Sequence, residues 1–259
     1  MSNPRGESAG GVQSVDRAVS VLEILAQRGE AGVSEVAADI GVHKSTAFRL
    51  LAALEERELV EQTQDRGKYR LGFGILRLAS AVPGQLDITQ QARAVCEQLA
   101  AHVGETVNIA VRRSHFVVNI DQARGPSAVA THNWVGELTP LHATSSGKIL
   151  LAFMTPEDSR KLLASSGLAR LTTHTITSQR ELEAQVEAAA RDGYAFSVEE
   201  LEEGLNAVAA PVRDHTGGVI AALSVSGPVY RFSEERMREV TPDVVAAAGA
   251  ISHRMGHLD

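Results

Sequence analysis

At 259 residues, with 44% hydrophobic residues and a formal net charge of −7, the chain is long enough for two cores, and its acidic balance excludes a nucleic-acid coat held by a global basic field. No apolar run approaches the roughly 20 residues of a bilayer-crossing helix, and no secretory signal pattern opens the sequence. A single cysteine, Cys96, excludes an internal disulfide, so the expected setting is the reducing cytoplasm, with no membrane partner.

Residues 1–12 are small, polar and glycine-rich, which predicts a disordered tail. A helix follows over 15–27, with Ser14 as its cap and Val15, Ala18, Val19, Leu22 and Leu25 on one apolar stripe. Ser34 can cap a short helix over 35–40 whose apolar residues are Val36, Ala37 and Ile40. Gly41 then serves a sharp turn. The next helix, 44–57, buries Ala47, Leu50, Leu51 and Leu54 at three- and four-residue steps. Its other face begins with His43, Lys44, Ser45, Thr46 and Arg49 at the N-terminal end, where recognition helices meet base edges and free amides favour phosphate. Short strands at 59–62 and 68–71 flank a turn at 63–67, with Arg66 and Lys68 at the tip.

This order reads as a winged helix-turn-helix that presents one helix to double-stranded operator DNA. A helical hairpin whose Lys and Arg are merely solvated is the plainer alternative. Residues 1–80 hold ten Lys/Arg against eleven Asp/Glu, but 43–54 contain Lys44 and Arg49 and no acid. The acids Glu55, Glu56, Glu58 and Glu61 lie toward the far end. Such a modest local patch suits a specific, paired binder.

An amphipathic helix over 74–82, stopped by Pro83-Gly84, predicts a linker. The divisions are therefore a 1–12 tail, a 13–72 winged helix, a 73–84 linker and an 85–259 second domain. The second domain opens with a helix over 88–101, in which Val95 and Leu99 are apolar and Cys96 is a small buried hydrophobe. Strands are expected at 106–111, 116–121 and 128–134, separated by turns at 112–114 and 124–126. Helices at 145–153, 156–165 and 179–191 precede a strand at 194–198. A hairpin pairs 206–213 with 219–226 around Asp214-His215-Thr216-Gly217-Gly218, and a helix over 233–255 closes the chain. Consecutive strands predict an antiparallel sheet covered by helices, and hence an α+β protein.

The stretch LHATSSGKILL sets Ser145, Ser146 and Gly147 at a helix start, where free amides and hydroxyls can hold a carboxylate, phosphate or hydroxyl. Thr144 or Ser145 could equally just cap that helix. Ser224 and Ser226 alternate along an otherwise apolar strand and face one side of the sheet, as a polar pocket floor or as a mutually bonded pair. His253 and His257 stand i, i+4 on the last helix without a third ligand, and a solvated face outweighs a metal pair. His132 and His142 could join a metal or effector site, with the same preference for an ordinary role. Glu199, Glu200, Glu202 and Glu203 read as a solvated edge. No GxSxG elbow and no nucleophile with an identifiable base appear, so neither catalysis nor a cofactor or metal is expected.

The segments QSVDRAVSVLEIL, VSEVAADIGVHKSTAFRLLAALEERELV, GKYRLG, LHATSSGKILLA, GYAFSVEELEEGLNAVAAPV and ALSVSGP together resemble the IclR family of transcriptional regulators over nearly the whole chain. The resemblance implies a winged helix-turn-helix joined by a linker helix to a GAF-like antiparallel-sheet effector domain, assembled as a homodimer or a dimer of dimers. It implies a ligand-responsive repressor of a carbon-catabolic operon, and the nearest likeness is to actinobacterial glycerol-operon regulators. A metabolic enzyme or binding module whose winged helix makes protein contacts is the alternative. Glu58 stands where the family pattern usually has Gly, and a left-handed Glu costs roughly 1 kcal/mol, so the recognition helix is expected to end differently. The family's effector positions fall on Ser145, Ser146, Gly147, Ser224 and Ser226, with Leu205 beside them. An aspartate and a cysteine of small-acid-binding members are replaced by Ser197 and Ala207. That predicts a roomier, less charged pocket for a polyol, a polyol phosphate or an organic acid larger than glyoxylate or pyruvate.

Overall fold

The computed structural model describes residues 13–63, 67–80, 85–126 and 133–257. The expected tail, the Arg66 tip of the wing, the Pro83-Gly84 stop, His132 and most of the strand expected at 128–134 lie outside them. The chain divides into two compact units, Met1–Pro83 and Gly84–Asp259.

The first unit contains helices α1 (Gln13–Arg28), α2 (Val33–Asp39), α3 (Lys44–Glu56) and α4 (Gly74–Ser80). Strands β1 (Ala31–Gly32), β2 (Val60–Gln62) and β3 (Lys68–Leu71) form an antiparallel sheet in the order β1-β3-β2. Val21, Leu25, Val36, Ala47, Leu51 and Tyr69 make the packed centre of this unit. Ser14 lies inside α1 rather than capping it, and the buried stripe is rotated from the expected one. Val21 and Leu25 are buried with Ala18 and Leu22 against them, while Val15 and Val19 are 58% and 48% exposed. The helix faces whichever side its neighbours occupy, and α2, α3 and the sheet meet the 18/21/22/25 side.

Ser34 does not cap α2. The small strand β1 pairs with β3 and holds Gly32 extended, so Gly32 becomes the cap residue. The Glu35 carboxylate accepts the Gly32 N–H at 2.6 Å, half of a capping box. Gly41, at φ +65°, makes the turn into α3. The α3 terminus also corrects expectation. Glu58 adopts φ +59°, and the Leu59 and Glu58 amides donate to the Leu54 and Glu55 carbonyls at 2.9 and 2.8 Å. This is a Schellman ending with Glu in the place that glycine favours. The chain accepts the strain because Gly72 and Gly74 press their backbones onto the Glu58 carbonyl, and the Gly74 amide donates to it at 2.8 Å.

The second unit is built on β4 (Thr106–Arg113), β5 (Phe116–Ala123), β6 (Leu138–Pro140), β7 (Ala195–Val198), β8 (Leu205–Arg213) and β9 (Val219–Pro228). They form one antiparallel sheet in the order β6-β5-β4-β9-β8-β7. The helices are α5 (Gln85–Val103), α6 (Ser145–Ala152), α7 (Pro156–Ser166), α8 (Gln179–Asp192) and α9 (Glu234–Arg254). Alternation along the strands sorts the two faces. Val107, Ile109, Val208, Leu223 and Val225 pack with α5 and α9, and Cys96 is buried among them. Ala110, Ala209 and Ala222 face the α6 and α8 side. Trp134 is in no strand; β6 instead begins at Leu138. His257 lies beyond the end of α9, so the i, i+4 pairing with His253 on one helix does not exist.

Candidate functional site

The first candidate surface is the N-terminal end of α3. Lys44, Ser45 and Arg49 are exposed, Thr46 is half-buried, and exposed His43 occupies the cap position without a side-chain cap bond. Neither Lys44 nor Arg49 has an ion pair or side-chain hydrogen bond among the described residues. Three arginines of this unit are neutralised, Arg28 by Asp39, Arg70 by Glu61 and Arg77 by Glu58, at 2.8, 2.6 and 2.8 Å, while Arg17 on α1 and Arg57 at the far end of α3 have no ion pair among the described residues. Lys68, expected at the wing tip, is also paired, its Nζ lying 2.6 Å from Glu30 Oε1. The start of α3 thus carries two bare positive charges beside amides that a helix leaves open.

The second candidate is a cavity on the α6 side of the larger sheet. Thr144 caps α6: its Oγ1 accepts the Gly147 amide at 3.0 Å and donates to the Pro140 carbonyl at 3.3 Å. Ser145 and Ser146 follow, 2% and 4% exposed, and line the cavity with Ser197, Leu205, Ala207, Ser224 and Ser226. The hydroxyls of Ser145, Ser146 and Ser224 make no hydrogen bond among the described residues. Ser226 Oγ accepts from Asn108 Nδ2 at 3.3 Å, and Asn108 Oδ1 accepts from Gln122 at 3.2 Å. Ser197 Oγ donates to the Ala143 carbonyl at 3.0 Å.

Gly147 is the exception among the expected effector residues, because it does not line the cavity. A Cβ there would collide with the Leu141 backbone carbonyl, so glycine is needed for α6 to sit against the turn Leu141–Ala143. The sequence reading missed Asn108, Asn119, Trp134, Thr139 and Leu201, which also line the cavity. Asn108 carried a usable signal: like the two strand serines, it is a polar residue alternating with buried aliphatic ones.

The cavity holds about 50 Å³, and no charged side chain lines it among the described residues. The absence of charge agrees with the replacements at Ser197 and Ala207. Trp134, Leu201 and Leu205 contribute bulk to its walls.

Behind the cavity, Lys148 is fully buried and satisfies all three of its N–H groups. Nζ donates to Glu200 Oε1 at 2.6 Å, Gln185 Oε1 at 2.7 Å and the Phe196 carbonyl at 2.9 Å. Burial lowers the Lys148 pKa and raises that of Glu200, each opposed by the partner's charge. Glu200 is thus no part of a solvated acidic edge, although Glu202 and Glu203 are exposed. His142 is also buried, with Nε2 3.0 Å from the Ala169 carbonyl. No group of three metal-ligating side chains occurs among the described residues.

Two family models match the chain: the IclR helix-turn-helix domain over residues 14–64, and the bacterial transcriptional regulator IclR C-terminal domain over residues 80–253. The HTH-type transcriptional regulator KdgR of Dickeya chrysanthemi is 32% identical over 248 residues, covering 96% of this chain and 81% of its own. The HTH-type transcriptional repressor AllR of Salmonella paratyphi A is 32% identical over 247 residues, covering 92% and 91%. Among solved structures, the Thermotoga maritima IclR matches with TM-score 0.78 at 29% identity, covering 95% of this chain and all of that one. An IclR homolog from Microbacterium hydrocarbonoxydans, complexed with 4-hydroxybenzoate, matches with TM-score 0.73 at 29% identity, covering 93% and 98%.

Proposed function

Since the chain belongs to the IclR family of ligand-responsive transcriptional regulators, we propose that it represses a catabolic operon from the cytoplasm, with the start of α3 reading the operator and the serine-lined cavity holding the effector. The observation that carries the DNA assignment is the bare charge of Lys44 and Arg49 beside four neutralised bases. His43, Ser45 and Thr46 complete the reading edge, with Arg66 and Lys68 on the wing. Exposed apolar side chains on two helices of the same unit, Val15 and Val19 on α1 and Leu76 on α4, support pairing of protomers.

The effector assigned here is a small hydroxylated monocarboxylate. Its carboxylate takes the free Ser145 and Ser146 groups at the α6 start, and its hydroxyl reaches Ser224 and Ser226. The relative that holds 4-hydroxybenzoate supports a carboxylate, and the cavity volume favours a smaller molecule. A polyol phosphate fits less well, because a dianion would find no cationic side chain among the described lining residues. Glycerol is the second reading, favoured by the neutral side chains of the described lining residues.

Footprinting and salt titration test the proposal. Log affinity for the operator should fall linearly with log salt. Arg49→Ala should abolish protection while leaving ligand-induced thermal shifts intact. A salt-independent interaction, or full protection by the Arg49 variant, overturns the DNA assignment.

A further inference from the structure

Phe48 is the fifth residue of α3 and is 53% exposed, although Ala47 beside it and Leu51 one turn on are fully buried. It is not a member of the hydrophobic cluster of its unit, to which Leu50 and Leu59 contribute even while partly exposed. At helical spacing it shares the outward side of α3 with Lys44, Ser45 and Ala52, all exposed, and adjoins Arg49. Folding therefore leaves a large aromatic side chain in water on the surface proposed to meet DNA, where a polar residue would cost nothing.

Resting on that DNA-reading assignment, we infer that Phe48 is a specificity-determining residue that reads the C5-methyl group of a thymine in the major groove. A phenyl ring offers neither hydrogen-bond donor nor acceptor, so it cannot take part in the polar code of base edges. Thymine's methyl is the apolar group that the major groove presents, and contact with it is the one direct readout open to phenylalanine. Lys44 and Arg49 flank the ring and are suited to phosphates or guanine edges, so the same helix end combines polar and apolar reading. Phe48 thereby buries its exposed ring only when the correct base is present.

The test uses the full chain and a duplex that it selects from a random-sequence library, with binding measured by fluorescence anisotropy. Each thymine is then replaced singly by deoxyuridine, which removes only the methyl. For the wild type, at least one replacement in the core of the site should weaken binding about fourfold, the equivalent of one buried methyl group. Phe48→Ala should bind the unmodified duplex more weakly and lose sensitivity at that position alone. Phe48→Leu, which keeps apolar surface, should retain part of it. Because the ring is exposed and outside the core, the variants should unfold at the wild-type denaturant midpoint. A flat deoxyuridine scan in the wild type overturns the inference while leaving DNA reading intact. Undiminished sensitivity in Phe48→Ala does the same. Selection of no duplex at all sinks the DNA assignment, and this inference with it.

Discussion

Lys148 Nζ lies 2.6 Å from Glu200 Oε1 in the interior of the larger domain, and the pair ties the helix that starts at Ser145 to the loop that carries Leu201. Both elements line the cavity, so one buried contact between residues 52 positions apart holds two of its walls. Glu200 Oε2 has no hydrogen-bond partner among the described residues, so the pair compensates its own desolvation incompletely.

Breaking that pair from one side should be severe. Lys148→Met leaves Glu200 buried without a counter-ion and should cost about 3–5 kcal/mol in urea unfolding, while the double change Lys148→Met with Glu200→Leu should recover most of the loss. A double variant no more stable than Lys148→Met would show that the ion pair is not what holds these walls.

The cavity hydroxyls should matter to ligand and little to folding. Ser146→Val should weaken the responding monocarboxylate by about tenfold or more, the loss of one hydrogen bond to a charged group at roughly 1.5–3 kcal/mol, and Ser224→Val, which removes a bond to the neutral hydroxyl at roughly 0.5–1.5 kcal/mol, by about two- to tenfold. Isothermal titration against the wild type checks this, and unchanged affinity in both variants removes the serines from the site.

Glu58→Gly should stabilise the DNA-binding domain by up to about 1 kcal/mol. Glycine removes the left-handed penalty, and the exposed Arg77 ion pair that is lost contributes roughly 0–1 kcal/mol. The side chains at that pair are 66% and 69% exposed, so solvent screens it. Denaturant midpoints of the two proteins decide the sign.

Cys96 supplies a pH dependence. Burial, helped by nearby Asp121 and Glu97, pushes its thiol from 9.0 up to about 12. Between those values the folded chain keeps a proton that the unfolded chain releases, so stability should fall as pH rises from 9 toward 12. In Cys96→Ala that component of the slope should vanish. The native thiol should also resist alkylation at pH 8 and react once the chain is unfolded. Rapid native labelling would contradict its burial.

Much of the architecture could be read from local pattern. The apolar spacing in α3, the glycine turn before it and the strand alternation of β9 each depend on residues a few positions apart. Those short-range rules placed Lys44 and Arg49 on an outward helix face and Ser224 and Ser226 on one side of a sheet. The same rules misassigned the cap of α2, because β1 is too short to show a strand period and acts only through its pairing with β3.

What the sequence determined by itself was therefore the list of elements and the face on which most side chains stand, since periodicity is a property of the chain alone. Tertiary structure decided which faces meet. It turned α1 so that Val21 is buried and Val19 exposed, and held Glu58 left-handed beneath two glycine backbones. It placed Asn108 against Ser226 and buried Glu200 on Lys148. Each of these is a contact between segments distant in sequence, and no local propensity encodes the partner that pays for burying a polar group.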